Sequence, residues 1–296
     1  MNQERLPEPE RRTTWRLRIA YVGTQFYGWQ HQDGLRTVQG CLQDAFGKLA
    51  KEPVHVQGAG RTDAQVHAMG QVAHCTLTSR LTAQKLLLAL SHLLPEDISV
   101  LQVNEEKATF HAKKDSVGKK YMYRFLCHAA RNPFLHQQTW HQRGTLNVQA
   151  MQTAAQHFIG EHNFDSFRSS HCAAANADRY IWKAAIKPPD SRGVMVFEVR
   201  GNAFCQHMVR IMAGTLLEVG RGRFKPDDIP AMLKARDRRQ AGMTAPGKGL
   251  TLEEVYYPDD LSTADIPVGA RFPGYPVTPD NTKEPHRNAP EDSSTD

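Results

Sequence analysis

The sequence predicts an α+β protein made of two ferredoxin-like halves, each with a mainly antiparallel sheet. The first observation behind this prediction is that β-branched apolar runs alternate with segments of helical periodicity. Their order, β-α-β-β-α-β, is the split βαβ arrangement. The second observation is that the same theme returns later in the 296-residue chain, as a pattern of elements without sequence identity between the halves.

The first half contains six predicted elements. They are a strand over 15–22, a helix over 38–50 begun by Thr37, strands over 54–57 and 71–77, a helix over 82–93 and a strand over 98–103. Threonine is a preferred N-cap because its hydroxyl accepts a hydrogen bond from a free backbone N–H of the first turn. These elements define an N-terminal domain over 15–112, preceded by a flexible segment over 1–14.

The second half repeats the theme and defines a C-terminal domain over 113–258. Asn147 opens a helix whose apolar residues recur at helical spacing, and Gly160 is placed to end it. The other predicted elements are strands over 119–127, 179–186, 194–200 and 250–257, a helix over 204–219 and a shorter one over 227–235. From residue 259 onward the chain is polar and acidic, which predicts a disordered tail over 259–296.

Composition excludes several classes of protein. With 40% hydrophobic and 23% charged residues, the chain has enough apolar side chains for a core, which excludes disorder throughout. No run approaches the roughly 18 to 20 apolar residues of a membrane span. The N-terminus lacks the apolar region of a secretory signal, and the 5 cysteines, without any C-x-x-C, suit reduced thiols. We therefore expect a cytoplasmic protein without membrane insertion.

Basic residues outnumber acidic ones, with a formal net charge of +6, and the excess lies in the body of the chain. They crowd the segments 113–124, 221–225 and 234–239, as a surface that follows RNA phosphates would require. A solvated basic face would give the same pattern, so charge alone leaves both interpretations open.

The most informative segment is Gly58-Ala-Gly-Arg-Thr-Asp-Ala-Gln-Val-His67. Two glycines between strand signals mark a tight loop in which backbone and ligand can approach closely, and Arg61 and Asp63 follow them. An aspartate in a loop is more often a turn former than a catalyst, so spacing alone assigns Asp63 no role. Nearby His67, His74 and Cys75 lack the spacing of zinc ligands, and we predict no catalytic metal.

The same segment closely resembles the active-site signature of the tRNA pseudouridine synthase A family. Further resemblances to this family follow in order over residues 15–258. They are Tyr21-x-Gly-Thr-x-Phe-x-Gly-Trp-Gln30, Leu94-Pro-Glu-Asp-Ile98, Phe110-His-Ala112, Lys120-Tyr-x-Tyr123, Phe164-x-Ser-Phe167, Gly201-Asn-Ala-Phe204, His207-Met-Val-Arg210, Gly214-Thr-Leu-Leu-Glu-Val-Gly220 and Ala245-Pro-Gly-Lys-Gly-Leu250.

This resemblance implies an isomerase that converts uridine to pseudouridine at positions 38, 39 and 40 in the anticodon stem-loop of tRNA, without a metal or organic cofactor. It also implies a homodimer, and two sheets that join across a central basic active-site cleft. The reaction breaks the N-glycosidic bond and joins C1′ to C5 of uracil, which requires an enzyme carboxylate and a base that has left its stack. Asp63 matches the essential aspartate of the family.

The resemblance implies roles for the other site residues as well. Tyr121 matches an active-site tyrosine that stacks on the flipped uracil, whereas strand alternation alone places Tyr121 and Tyr123 on one face without choosing between them. Arg210 lies about 200° around a helix from Met208, outside the apolar stripe, and matches the ion-pair partner of the aspartate. The residues expected to bind the substrate are Arg61, Tyr121, Leu252, Lys119 and Lys120.

Some positions depart from the family pattern. Gln65 stands where the family usually has glycine, which costs on the order of 1 kcal/mol if the position requires a positive φ. Two alternatives therefore stay open. One is a pseudouridine synthase that acts on a different RNA uridine, and the other is a noncatalytic RNA-binding protein, motivated by Gln65. A metal-dependent nuclease is a more distant option, because the sequence lacks a convincing cluster of carboxylates.

Overall fold

The structure, a computed structural model, describes residues 10–258. Within this range ten strands form one mostly antiparallel sheet. The strands are β1 (Arg11–Tyr21), β2 (Gln57–Gly58), β3 (His67–Ser79), β4 (Ile98–Glu106), β5 (Gly118–Cys127), β6 (Trp140–Gln142), β7 (Gly160–Asn163), β8 (Asp178–Lys187), β9 (Val194–Gly201) and β10 (Leu250–Tyr256). The α-helices are α1 (Val38–Ala50), α2 (Ala83–Leu93), α3 (Val148–Gln156), α4 (Met208–Gly220) and α5 (Asp228–Ala235). The predicted α+β class is confirmed.

The order of the strands shows how the two halves meet. The main path of the sheet is β4-β1-β3-β10-β5-β9-β8-β7, with β2 paired to β3 and β6 paired to β5. In the middle, β10 runs parallel to β3 and antiparallel to β5. The last strand of the described chain therefore joins the strands of both halves into a single sheet.

In the first half, the element order is the predicted β-α-β-β-α-β. Helix α1 begins as predicted, because the Thr37 side chain accepts a hydrogen bond from the backbone N–H of Gly40. Thr82 caps α2 in the same way, by accepting from Lys85. Only the strand expected over 54–57 is largely wrong, since the ladder with β3 comprises two residues, Gln57 and Gly58.

The second half also contains the predicted elements, with two shifted boundaries. Helix α3 ends at Gln156, four residues before the predicted Gly160, which instead begins β7. Asn147 caps α3, and the apolar stripe predicted for this helix is buried. The helix expected to start at residue 204 instead begins at Met208. The reason is that His207 adopts a left-handed backbone, with φ 62°, which interrupts the helical geometry before it.

Helix α4 lies almost entirely inside the protein. Of its 13 residues, Arg210 is the one that is not buried. A helix that is apolar nearly all round is a core helix, so its single half-exposed polar side chain must point into an opening in the structure. That opening is the cleft described below.

Three of the predicted domain limits can be compared with the described residues. The segment expected to be flexible over 1–14 is partly in the sheet, because β1 begins at Arg11 and Thr13 is buried in it. The predicted tail over 259–296 lies outside the described residues. The boundary between 112 and 113 stays a prediction, and the buried core extends across both sides of it.

Candidate active site

A short loop over 59–66 connects β2 to β3 and carries Asp63. The backbone N–H of Trp29 donates to the carbonyl oxygen of Thr62 at 3.0 Å. The indole of Trp29 also covers Gly58, where a Cβ would lie 2.6 Å from the ring. Glycine is therefore required at residue 58, and the loop is fixed against the segment that precedes α1.

Gln65 occupies the position at which the family pattern has glycine, and its backbone has a φ of 66°. Positive φ is therefore required at this position, as the departure from the pattern suggested. Its N–H donates to the carbonyl oxygen of Phe26 at 3.2 Å, and its side chain is exposed. The loop thus reaches this conformation without glycine.

Asp63 forms an ion pair with Arg210, which projects from α4. The distance from Asp63 Oδ2 to Arg210 Nη1 is 2.8 Å, and Arg210 Nε donates to the carbonyl oxygen of Ala245 at 2.7 Å. The side chains of Asp63 and Arg210 are 24% and 16% exposed. This contact orients a partly accessible carboxylate in a setting where charges interact more strongly than in water.

A second basic side chain approaches the same carboxylate oxygen. His207 Nε2 lies 3.6 Å from Asp63 Oδ2, and the left-handed backbone of His207 places its ring at the start of α4. Burial lowers the pKa of His207, the charges of Arg210 and Arg238 lower it further, and Asp63 opposes them. The sequence interpretation missed His207, although it precedes Arg210 by three positions, a spacing that places two helical residues on one face.

Tyr121 lies on β5 in the floor of the cleft. Its ring is 7% exposed and packs edge to face against Phe204, with ring centroids 5.0 Å apart. Burial raises the pKa of the Tyr121 phenol, and the neighbouring Tyr21 and Asp63 raise it further. The phenol is therefore protonated at neutral pH. The sequence predicted Phe204 as the first residue of a helix, but Phe204 precedes α4, and its ring packs against Tyr121.

The predicted substrate-binding residues take different positions around this centre. Leu252 is fully buried on β10, directly opposite Tyr121 in the strand register. Arg61 is exposed on the loop, two residues before Asp63. Lys119 shares the face of β5 that carries Tyr121, whereas Lys120 points to the other face. The structure therefore separates the two lysines that the sequence placed together.

His67, at the end of the signature segment, is buried and contacts backbone groups. Its Nδ1 accepts a hydrogen bond from Gly23 N at 3.0 Å, and its Nε2 lies 2.9 Å from the carbonyl oxygen of Gln137. Within residues 10–258, no group of three His, Cys, Asp or Glu side chains is placed to hold a metal ion. The helices in the same range are all too short or too polar to span a bilayer.

Comparison with known proteins gives a consistent match. A family model described as tRNA pseudouridine synthase matches residues 18–113 and 154–258. The tRNA pseudouridine synthase A of Lacticaseibacillus casei is 40% identical over 246 residues, which cover 83% of this chain and 100% of the relative. The protein of the same name from Geotalea uraniireducens is 39% identical over 242 residues, covering 82% and 98%. A third, from Coxiella burnetii, is 40% identical over 257 residues, covering 86% and 97%.

The fold and these matches place the protein among the pseudouridine synthases, a class of isomerases. The chain belongs to the tRNA pseudouridine synthase family. The family resemblance that the motifs predicted is thereby confirmed, and so is the prediction that the protein is an enzyme.

Proposed function

We propose that this enzyme isomerises uridine to pseudouridine at positions 38, 39 and 40 in the anticodon stem-loop of tRNA. The observation that carries the proposal is the 2.8 Å ion pair between Asp63 and Arg210, made across a cleft whose floor contains Tyr121. These three side chains come from three separate segments of the chain and are the ones that the family motifs single out. Family membership supports tRNA as the substrate.

Asp63 begins the reaction. The N1–C1′ bond of the target uridine breaks, the uracil turns, and a bond forms between C1′ and C5; C5 then loses its proton and N1 takes one up, so that the product is an isomer of uridine. Three first steps remain compatible with the site, namely attack of the carboxylate on C1′, attack on C6, and removal of a ribose proton. All three use a charged carboxylate, and Arg210 supplies its counter-charge at 2.8 Å.

Tyr121 provides the ring against which the flipped uracil stacks, and Leu252 packs beside Tyr121 on the neighbouring strand. Both are buried side chains at the centre of the sheet, directly opposite each other on neighbouring strands. Because its phenol is protonated at neutral pH, Tyr121 contributes a ring for stacking, and it can accept the C5 proton only after losing its own. Arg61, exposed on the loop, binds RNA outside the cleft.

The enzyme acts as a homodimer in the cytoplasm, without a metal or organic cofactor. A tRNA is larger than one active site, so a second subunit holds a distant part of the same substrate. Lys113, Lys114 and the basic segment 221–225 supply positive charge for phosphate contacts outside the cleft.

The test uses an unmodified tRNA transcript, the full-length enzyme and no added metal. Pseudouridine is mapped by carbodiimide adducts and primer extension with the wild type, Asp63→Asn and Asp44→Asn. Asp44 is an exposed aspartate on α1 and provides the matched control. We expect modification at positions 38, 39 and 40 by the wild type and Asp44→Asn, and none by Asp63→Asn.

Other outcomes of this test have distinct meanings. Modification at a different uridine would keep the chemistry and overturn the proposed substrate position. Tight binding of several tRNAs by the wild type and Asp63→Asn, with no product from either, would favour the noncatalytic RNA-binding alternative.

A further inference from the structure

Lys119 lies in the cleft, on the face of β5 that carries Tyr121 two residues later. Its side chain extends across the backbone of the catalytic loop. A Cβ on Gly60 would lie 3.1 Å from Lys119 Cε and 3.8 Å from Lys119 Nζ. The ammonium group therefore rests beside Gly60, three residues before Asp63, and the absence of a side chain at residue 60 makes room for it.

The part of the chain that the structure describes does not balance the charge of Lys119. Among residues 10–258, no carboxylate or hydrogen-bond acceptor contacts its ammonium group. Two other lysines next to the sheet show the usual arrangement, since Lys183 and Lys187 lie 2.9 and 3.0 Å from the buried carboxylate of Glu198. Lys119 is partly buried, and removing an unpaired cation from water is costly, so such a group favours an anionic ligand.

We propose that Lys119 binds a backbone phosphate of the target nucleotide and so holds that nucleotide over the catalytic loop. This inference rests on the proposed function, because the anion is a phosphodiester of the same tRNA. The phosphate would supply the anionic partner that Lys119 lacks among the described residues. Lys119 would position the substrate, while Asp63 performs the chemistry.

Titration of Lys119 supplies a way to isolate its contribution. Burial and, to a smaller extent, the neighbouring cation Lys113 lower the pKa of Lys119 to about 8. Of the other titratable groups in the cleft, the phenols of Tyr21 and Tyr121 have pKa values raised well above this range, and His207 has a lowered one. The neighbouring charged groups are the Asp63–Arg210 ion pair and Arg238, whose charge acts on His207.

The experiment measures binding of the unmodified tRNA transcript by fluorescence anisotropy, at several salt concentrations and from pH 7 to pH 9. Lys119→Gln should bind about tenfold more weakly at pH 7, and its slope of log K against log salt should be shallower by about 0.7, the value of one phosphate contact. Lys107→Gln is the matched control, because Lys107 is an exposed lysine just beyond β4, the edge strand. This control should behave like the wild type.

The pH dependence separates a charge contact from a structural effect. Wild-type affinity should fall about tenfold from pH 7 to pH 9, as a group with a pKa near 8 loses its proton. Lys119→Arg should retain the affinity at pH 7 and lose this decrease, since arginine stays charged. Gly60→Ala, which places a methyl group 3.1 Å from Lys119 Cε and so displaces the lysine side chain, should weaken binding while leaving the charge present.

Equal affinity and equal salt slope for Lys119→Gln and the wild type would overturn the inference. So would a pH dependence that persists unchanged in Lys119→Arg. Thermal denaturation of each variant shows whether it folds, and Gly60→Ala provides an independent result if Lys119→Gln does not. Mapping of pseudouridine with the wild type tests the proposed function separately, because a product at another uridine leaves the Lys119 comparison valid.

Discussion

Replacing Gln65 by glycine should stabilise the protein. Gln65 has a φ of 66° and an exposed side chain, so the substitution relieves backbone strain and removes no buried contact. A residue with a Cβ pays about 1 to 2 kcal/mol in the left-handed region. Glycine also makes the unfolded chain more flexible, and this entropy offsets about 0.4 to 1 kcal/mol of the gain in stability. The expected net gain in the free energy of unfolding is about 1 kcal/mol.

Thermal or urea denaturation measures this gain. For a protein of this size, 1 kcal/mol corresponds to a rise in Tm of about 2 to 4 °C. The matched control is Gln149→Gly, because Gln149 is also an exposed glutamine but lies in the first turn of helix α3. There glycine should lower the stability by up to about 1 kcal/mol, the cost of glycine in a helix interior.

A decrease in stability for Gln65→Gly similar to that for Gln149→Gly would refute this reasoning. Catalytic activity should not change, because the loop already has the required backbone conformation and the N–H of residue 65 still donates to Phe26. A large gain in activity would instead show that Gln65 displaces the loop, and would revive the view that catalysis is impaired in this chain.

Three further predictions concern the site and its support. Arg210→Met removes the cation that contacts the carboxylate of Asp63, so the single-turnover rate of pseudouridine formation should fall by about 100-fold or more. The Tm should stay within about 3 °C of the wild-type value. A decrease in rate of less than about tenfold would contradict the role of the ion pair. Tyr21→Phe removes a buried hydroxyl that lies 2.8 Å from the Thr62 hydroxyl, so the free energy of unfolding measured in urea should fall by about 1 to 3 kcal/mol. An unchanged free energy of unfolding would mean that the contact is dispensable. Burial lowers the pKa values of His67 and His74, so the unfolded state binds protons more readily and stability should be lost as pH falls below about 6.5. A Tm that stays constant from pH 7.5 to pH 5 would contradict this last prediction.

Much of the fold could be predicted because its signals are local. Helical periodicity and the capping residues Thr37, Thr82 and Asn147 place three helix starts to within a residue. The predicted start of α4 was wrong, because His207 has a left-handed backbone that the helical periodicity of the sequence does not indicate. The two-residue pairing of β2 with β3 likewise depends on contacts between distant parts of the chain rather than on local sequence.

The candidate site could be predicted only in part. The motif singled out Asp63, but its contact with Arg210 joins residues that are 147 positions apart, and no local pattern encodes such a distance. The separation of Lys119 from Lys120 was available in principle, because alternation along a strand puts the lysine two residues before Tyr121 on the same face as Tyr121. What alternation cannot show is that Gly60 leaves space for that lysine.

The histidine at the end of the signature segment explains how the loop and the two halves depend on each other. Only an unprotonated Nδ1 of His67 can accept a hydrogen bond from the backbone N–H of Gly23. The proton of neutral His67 is therefore on Nε2, which faces the carbonyl oxygens of Gln137 and Lys248 at 2.9 and 3.1 Å. A second proton would turn Nδ1 into a donor pointing at another donor. His67 also stands opposite Thr251 in the short parallel pairing of β3 with β10. Acid should therefore weaken the junction of the halves and the loop that carries Asp63 together, because one neutral imidazole supports both.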